Sequence, residues 1–389
     1  MAQGPSLQVG AQAIPVATES NAIPHGRSYG ETRLVQPMVM IRAATGSERL
    51  VLQGAADFEG LTIKHAELTP GAWGEGFADR RHPHTYVHEL MLLAPDLLRD
   101  LHLPAHLSLG LGKGFVPFGT DDPMSRPVER FPVNHHLSQI LERAVALAGV
   151  QAGPAELEAS LFNGDEPQHP DQWPNVSRVG DSWSLRFTLR PVRGFEWEVS
   201  RAFVRSPETR DAQGLDASKW SSAVRWDGPV LGKPVYAMLE WSQSTAPGAY
   251  TLRSVLFEAQ ASAGAHQPYF RLERTDRPEE ERTLDPFVVL RPIVDNSILG
   301  VTRWTIGTLG YAVQAGRIWK VSWRPFVEGS LISVTQVGGG IFNPKVFYGK
   351  EQHWSLTGGV RLAWGMGAHR MGRYEQMPDA SMAMPMARP

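Results

Sequence analysis

The 389-residue sequence contains no cysteine, which excludes disulfide scaffolds, cysteine nucleophiles and thiolate metal sites. Neither sign of charge dominates, because 38 basic side chains oppose 40 acidic ones and leave a formal net charge of -2. This balance argues against nucleic acid as a partner. Because the chain has no cysteine, a metal site in it must use His, Asp, Glu or Met ligands.

Long apolar runs are also missing. No stretch approaches the roughly 18 consecutive apolar residues of a membrane-spanning helix. The mean hydropathy of -0.25 is compatible with a soluble protein and equally with a barrel of alternating strands. Met1 to Thr18 lack the basic and apolar regions of a secretory signal, so we expect a mature form, with Ala11 to Ala13 as a relic of that region, or a cytosolic protein. The strand pattern favours the mature form.

The clearest positive signal is an alternation of apolar and polar side chains with a period of two residues, which is typical of β-strands. Segment 183–190 reads Trp, Ser, Leu, Arg, Phe, Thr, Leu, Arg, and segments 195–199, 270–273 and 353–364 alternate in the same way. We predict about 14 to 16 such strands from residue 33 onward, with a candidate first strand near Ser6 to Ile14.

Two features distinguish a membrane barrel from a soluble sandwich. Most of the 12 Trp residues lie in or at the ends of candidate strands, as aromatic girdles do. Short turns also alternate with long polar loops, as in outer-membrane barrels. The short turns lie near 150–154, 191–194, 228–234 and 315–317, and the long loops near 115–134, 164–180, 206–216, 275–298 and 337–352.

The sequence therefore predicts an all-β, closed antiparallel transmembrane β-barrel of a bacterial outer membrane, with long outer loops and short periplasmic turns. We divide the chain into an N-terminal segment 1–30, irregular apart from the candidate strand, a barrel over 31–365, and a Met-rich flexible tail over 366–389. Segment 137–148 has the apolar spacing of a helix, with a strand as the alternative. The alternative fold is a soluble secreted all-β binding protein with an apolar interior.

Several motifs resemble an uncharacterised family of bacterial outer-membrane β-barrel proteins whose hallmark is Asp-Arg-Gln-His-Pro-His-Asp followed by Glu-Leu. Here the motif runs from Asp79-Arg80-Arg81-His82 to Glu89-Leu90, and the paired histidines His135-His136 and the stretch Phe162-Asn163-Gly164 follow in the family's order. Arg81 replaces the usual Gln, and Thr85 replaces the second Asp. The resemblance covers residues 75–365 and implies an outer-membrane barrel in which 137–148 is a strand.

The densest ionisable cluster is the candidate for metal chemistry. In an extended segment the imidazoles of His82, His84 and His88 project to one face and suit copper or zinc, and His135 and His136 start another predicted strand that could lie nearby. The alternative is a structural network of arginine, histidine and carboxylate groups that clamps a long loop to the wall. Its members are Asp79, Arg80, Arg81 and Glu89 together with the histidines. Methionines of the tail are soft ligands that suit Cu(I), or belong to a flexible interaction segment.

Charged residues on the polar strand faces are predicted to line the lumen and to set its ion preference. The alternative for the same residues is a salt-bridged, plugged interior. They are Arg186, Arg190, Glu196, Glu198, Arg271, Glu273, Arg303 and Arg361.

Motifs of the common hydrolase and nucleotide-binding families are missing, so we expect no enzyme. Asp121 and Asp122 are interpreted as ordinary turn acids. We predict a porin-like or structural barrel that contacts the lipid bilayer, passes or contacts small polar solutes or ions, and has a link to metal handling. The sequence predicts no oligomeric state.

Overall fold

The strands form one closed antiparallel barrel in the computed structural model. It describes residues 4–22, 28–62, 84–101, 103–129, 132–133, 135–167, 169–280, 298–367 and 370–374. Consecutive strands pair along the chain, and the last strand pairs with the first, with Gly10 opposite Gly365 and Ser20 opposite Ser355. Closure leaves no sheet edge open to pairing with another chain.

Seventeen strands and three short α-helices are found among these residues. The strands are β1 (Ser6–Ser20), β2 (Tyr29–Ala44), β3 (Val51–Asp57), β4 (Val87–Ala94), β5 (Ala105–Gly114), β6 (Arg143–Ala152), β7 (Ala155–Phe162), β8 (Ser182–Leu189), β9 (Phe195–Val204), β10 (Ala217–Val230), β11 (Lys233–Ala246), β12 (Tyr250–Ala261), β13 (His266–Glu280), β14 (Ile298–Val313), β15 (Arg317–Ile318), β16 (Val321–Gly340) and β17 (Gln352–Gly365). The helices are α1 (Glu59–Thr62), α2 (His135–Ser138) and α3 (Pro344–Tyr348). None of the helices in the described ranges has the length and apolar character needed to cross a membrane.

The wall of the barrel consists of sixteen strands. The two-residue strand β15 only extends the hairpin before β16, and β14 pairs directly with β16 along its length. The upper end of the predicted strand number is thus confirmed. The barrel begins at Ser6 rather than at residue 31, because β1 is a full wall strand. Segment 137–148 is helical only at its start, where α2 ends, and from Arg143 onward it is strand β6. The helix prediction and the strand prediction are each correct for one part of the segment.

Long connections lie at one end of the barrel and short ones at the other, which we name the loop end and the turn end. The longest described or partly described connections, 58–86, 115–142 and 163–181, all leave the loop end. At the turn end, β10 and β11 are joined only by Leu231 and Gly232, whose φ angles of 52° and 78° are those of the type I′ turn that matches strand twist. The predicted sorting of loops is confirmed, apart from the short connection 247–249 at the loop end and the longer connection 95–104 at the turn end.

The wall is apolar outside and polar inside. In β8, Ser184, Arg186 and Thr188 are buried, whereas Leu185 between them is 45% exposed. Trp183, Phe187 and Leu189 share the outer face with Leu185, as the alternation predicts. The alternative prediction, a soluble secreted all-β binding protein with an apolar interior, is wrong about the interior, because these apolar side chains point away from it.

Tryptophans of the outer face form two bands. Those near the loop end are Trp183, Trp220, Trp241 and Trp354, and those near the turn end are Trp197, Trp226, Trp323 and Trp364. Such bands mark the two interfaces of a bilayer. Trp304 of β14 differs from these strand residues: it faces inward, is fully buried, and packs edge-on against Tyr348 with ring centroids 5.6 Å apart.

Leu239 tests whether the outer face meets lipid. It lies midway along β11, is 51% exposed, and is flanked on the neighbouring strands by Val224 and Phe257. We expect Leu239→Arg to lower the free energy of unfolding in lipid vesicles by about 2–4 kcal/mol, because a charge at the bilayer midplane is costly. Urea titration followed by tryptophan fluorescence measures this change.

The matched control is Val176→Arg, at a 74% exposed position in the connection between β7 and β8. A surface substitution there should change stability by less than about 0.5 kcal/mol. Equal effects of the two arginines would show that the outer face of β11 does not lie in lipid.

Candidate functional site

The connection between β5 and β6, residues 115–142, lies inside the barrel, and we name it the inner loop. The sequence predicts a polar outer loop over 115–134, whereas the described residues of this segment are almost all buried. Phe118 and Met124 join an apolar cluster with Met91 of β4. The loop folds inward because its apolar side chains pack against apolar side chains of the inner wall.

Asp121 of the inner loop forms ion pairs with both the wall and the C-terminal residues of the chain. Its carboxylate is fully buried and accepts hydrogen bonds from Arg225 of β10 at 2.8 and 2.9 Å and from Arg370 at 2.8 Å. Charged groups in protein interiors are retained when they are paired in this way. Of the two predicted turn acids, Asp122 does accept the backbone N–H of Met124 at 2.7 Å, as a turn residue would, whereas Asp121 joins an ion-pair network.

The same two arginines determine the pKa of Asp121. Burial alone raises the pKa of this carboxyl group, but the guanidinium groups of Arg225 and Arg370 outweigh burial and hold the pKa well below its usual value. Burial also lowers the pKa of Arg370, while Asp121 and Glu196 raise it well above its usual value. Asp121 and Arg370 are therefore both ionised at neutral pH.

The inner loop crosses the bore. On one side, Arg126 lies 3.8 Å from the carboxylate of Glu258 on β12. On another side, Glu129 accepts hydrogen bonds from Arg324 of β16 and from Arg361 of β17, the latter at 2.8 Å. Contacts on separate parts of the wall leave the inner loop no freedom to swing out without breaking buried ion pairs.

The residues after β17 also enter the lumen. In the described part of this C-terminal tail (366–367 and 370–374), Met371 is fully buried, and Arg373 donates a hydrogen bond to Glu198 of β9. The sequence predicts a flexible tail over 366–389, but residues 370–374 are docked because their arginines meet carboxylates on the inner wall. Residues 375–389 lie outside the described part of the chain.

Arg186 of β8 joins the wall, the inner loop and the C-terminal tail. It is fully buried and donates from Nη2 to Glu158 of β7 at 2.6 Å. Nη1 donates to the carbonyl oxygen of Gly119 at 3.2 Å, and Nη2 also donates to the carbonyl oxygen of Gly372 at 2.7 Å. Gly119 has a φ of 65°, and a Cβ at this position would lie 1.7 Å from the carbonyl oxygen of Ser138, so the tight fold of the inner loop requires glycine here.

Seven of the eight charged residues predicted to line the lumen contact interior partners. Arg190 bridges Glu156 and Glu196 at 2.6 and 2.8 Å, and Glu273 accepts the backbone N–H of Val133 at 3.1 and 3.2 Å. The other five in this group are Arg186, Glu196, Glu198, Arg271 and Arg361.

Arg303 lies on the opposite face of the wall. Its neighbours Thr302 and Trp304 point inward and are fully buried, so the alternation of β14 directs Arg303 outward. There it forms an ion pair with Asp276 of β13 at 2.7 Å. The predicted position of Arg303 in the lumen is therefore corrected: in this part of β14 the aromatic Trp304 faces the interior and the charged Arg303 faces outward.

Two of the predicted metal ligands come together near the loop end. His84 and His88 are buried, with ring centroids 4.5 Å apart, and Asp57 from the end of β3 joins them. Sequence reasoning missed Asp57 and Glu142, which accepts a hydrogen bond from His88, because both are distant from the histidines along the chain. Of the structural motif, Glu89 is buried and accepts a hydrogen bond from Gln53 at 3.2 Å.

The side chains of the other residues of the predicted cluster lie outside the described part of the chain. His82, Asp79, Arg80 and Arg81 lie outside the described residues. His135 and His136 belong to α2, which packs against β10, β11 and β12 on a different part of the wall from β4. Their side chains are outside the described part of the chain, so their predicted role as ligands stays untested.

The closed barrel of sixteen strands is the fold of the outer-membrane porins. Three solved structures with this fold are an anion-selective porin from Comamonas acidovorans, a loop-deletion mutant of the outer-membrane protein OmpT of Vibrio cholerae, and Salmonella typhi OmpF in complex with daunomycin. Their TM-scores are 0.54, 0.54 and 0.52, at 9%, 9% and 8% sequence identity. The matches cover 92%, 93% and 93% of this chain and 100%, 100% and 98% of the respective chains in those structures.

At such identities the likeness concerns the fold alone. Neither a protein-family model nor a curated protein matches the sequence. The resemblance to the family with the Asp-Arg-Gln-His-Pro-His-Asp motif therefore stays a prediction.

We expect Asp121→Asn to lower the free energy of unfolding by about 3–5 kcal/mol, because it leaves Arg225 and Arg370 buried without their shared counter-charge. Urea titration in detergent micelles measures this loss. Asp227→Asn is the matched control: Asp227 contacts the same Arg225, at 3.1 Å, but is 46% exposed. Its loss should stay below about 1 kcal/mol. Equal losses would contradict a central role for Asp121.

The depressed pKa of Asp121 gives this stabilisation a particular pH dependence. A carboxyl group whose pKa is lower in the folded state stabilises the fold above its unfolded pKa, which is about 3.9. We expect the difference in unfolding free energy between the wild type and Asp121→Asn to stay constant from pH 8 to about pH 5 and to shrink below about pH 4. Shrinkage already at pH 6 would show that the carboxyl group is not held ionised by the arginines.

Proposed function

We propose that this protein is a porin-like barrel of a bacterial outer membrane, whose bore is narrowed by the inner loop and the C-terminal tail so that it passes or contacts small polar solutes. The observation that supports this proposal most directly is that the barrel has an apolar outer face and a polar inner face: of two consecutive residues, Leu185 is exposed outside and Arg186 is buried inside. A lipid bilayer is the environment that suits such an outer face, and a polar lumen suits solutes.

The inner loop and the C-terminal tail occupy part of the bore and so limit the size of the solutes that can pass. A barrel of sixteen strands is about 30 Å across, judged from strand spacing and tilt. The inner loop spans this bore, since Arg126 approaches β12 while Glu129 is held by β17. The tail residues Arg370 and Arg373 fill the space beside β9. Any passage runs beside these two segments and admits small solutes only.

The interior presents charges of both signs in pairs. Arg271 lies 2.7 Å from Glu258, and Arg190 lies 2.8 Å from Glu196. Paired charges largely cancel within a few ångströms, unlike the rings of one sign that select cations or anions. We therefore propose polar solutes without strict charge selection rather than ions of one sign.

The proposed location and the proposed lipid partner follow from the outer face of the barrel. Two bands of outward tryptophans support a bilayer between them, and the fold shared with outer-membrane porins supports the bacterial outer membrane. The motif resemblance points the same way. We propose no catalytic role, and the alternative of a purely structural barrel is an outcome of the test below.

Planar lipid bilayers test the proposal with three forms of the protein: the full chain, a chain ending at Gly365, and a chain ending at Tyr374. Ending the chain at Gly365 removes the docked residues 370–374, so we expect single-channel conductance to rise roughly twofold or more as the bore widens. The chain ending at Tyr374 keeps the contacts of residues 370–374 with the inner wall and should conduct like the full chain.

Two results would contradict the proposal. If even the chain ending at Gly365 gives no channel events, the barrel is structural rather than porin-like. If both truncations change conductance equally, the docked residues do not narrow the bore. Circular dichroism and the unfolding midpoint in urea confirm that each form retains the barrel.

A further inference from the structure

A β-bulge in β4 turns His88 of the motif toward the interior. In the pairing of β3 with β4, Ala55 lies opposite Glu89 and Ala56 lies opposite Val87, so His88 is an extra residue without a partner on β3. As a result both His88 and Glu89 are buried, although neighbours in a regular strand face opposite sides. Bulges commonly redirect side chains at the rims of barrels and beside functional sites.

The possible ligand atoms of this group lie close enough together to bind one ion. Asp57, His84 and His88 each offer one donor atom, and the three atoms lie within 4.8 Å of one another. Nδ1 of His84 is 3.2 Å from Oδ2 of Asp57. Two ligands of one tetrahedral zinc ion are about 3.3 Å apart when each bond is about 2.0–2.1 Å long. This distance is that of a hydrogen bond between the two side chains, and a metal ion that displaces the shared proton needs little change in their spacing.

His88 is held in the orientation that metal-binding histidines adopt. Its Nδ1 is 2.6 Å from Glu142, whose carboxylate also accepts the backbone N–H of Thr85 at 3.0 and 3.1 Å. With its proton on Nδ1, the ring presents the lone pair of Nε2, which is buried and has no hydrogen-bond partner among the residues described. A carboxylate behind a histidine fixes the ring and its tautomer in this way at metal centres.

The carboxylates of Asp57 and Glu142 are buried beside the histidines, and the buried ammonium group of Lys113 lies 3.9 Å from Glu142. The excess of carboxylates over this one ammonium group favours a cation at this place. Glu59 supplies a further buried carboxylate, with Oε2 3.9 Å from Nδ1 of His84. Two imidazoles with one carboxylate are ligands of borderline character, which suit Zn²⁺ or Cu²⁺ better than Mg²⁺ or Ca²⁺.

We propose that Asp57, His84 and His88 form a buried site for a borderline divalent cation of the zinc and copper class, at the loop end of the lumen. Glu142 is its positioning residue, because it touches His88 and not the ion. This site goes beyond the proposed passage of solutes and stands independently of it.

Metal titration of the full chain in detergent tests the site without any measurement of conductance. The protein is stripped with EDTA and titrated with Zn²⁺ and with Cu²⁺ in a calorimeter. We expect one ion per chain, and at least about tenfold weaker binding in Asp57→Asn, His84→Gln and His88→Gln. Cu²⁺ bound to the wild type should show two nitrogen couplings in its electron paramagnetic resonance spectrum, and one coupling should be lost in His88→Gln.

His106→Gln is the matched control. His106 also faces a carboxylate, with Nδ1 2.8 Å from Asp96, but it lies on β5 away from the site and is largely exposed. Its substitution should leave the dissociation constant unchanged within about twofold, whereas Glu142→Gln should weaken binding by about 10–100-fold while the number of nitrogen couplings stays at two.

Wild-type protein that binds neither ion after stripping would overturn the proposal and leave the group as a hydrogen-bonded clamp. So would binding that His88→Gln and Asp57→Asn leave unchanged. The wild-type result requires no variant to fold, and failure of the channel test would not affect it.

Discussion

The ion pairs of one buried carboxylate, Asp121, hold the lumen in its observed arrangement. A charge in a protein interior costs several kcal/mol unless it is paired, so its partners must stay in place whenever the barrel is folded. Arg225 belongs to the wall and Arg370 to the C-terminal tail. The same carboxylate therefore binds the inner loop to β10 and the tail to the inner loop. Loop and tail are parts of one electrostatic unit rather than two independent obstructions.

The interior of this barrel is not uniformly polar. Around β4 it contains an apolar cluster in which Met91 meets Phe118 and Met124 of the inner loop and Met371 of the tail. Apolar burial positions these segments, and the neighbouring ion pairs determine their exact path. Methionine suits this role because its unbranched side chain fills irregular gaps between a curved wall and an irregular loop.

The proposed metal site shows how a local irregularity changes what a strand presents. In a regular strand His88 would face the same way as Leu90, which is exposed on the outer wall. The bulge turns His88 inward, toward His84 and Asp57. The two-residue period of a strand predicts that the histidines share one face, but it does not predict whether that face is the inner or the outer one. The carboxylates that complete the group come from β3 and from the end of the inner loop, and no spacing along the chain links them to the histidines.

Much of the lumen could be predicted from single strands. The alternation in β8 and β9 is regular, so Arg186, Glu196 and Glu198 could be placed inside from their own neighbours. Arg303 could not, because Trp304 beside it resembles a girdle residue and is in fact buried against Tyr348. The inner loop could not either, since a polar segment with Asp121 and Asp122 has the composition of an outer loop.

The amino-acid sequence by itself determined the barrel, the alternation of its two faces and the sorting of loops between its ends. These properties depend on side chains within a few residues of each other, because a strand exposes consecutive side chains to opposite environments. Only the tertiary structure decided what fills the lumen and which carboxylates join His84 and His88. Those contacts, such as Asp121 with Arg370, join residues far apart in the chain, and their energy exists only once the barrel has closed around them.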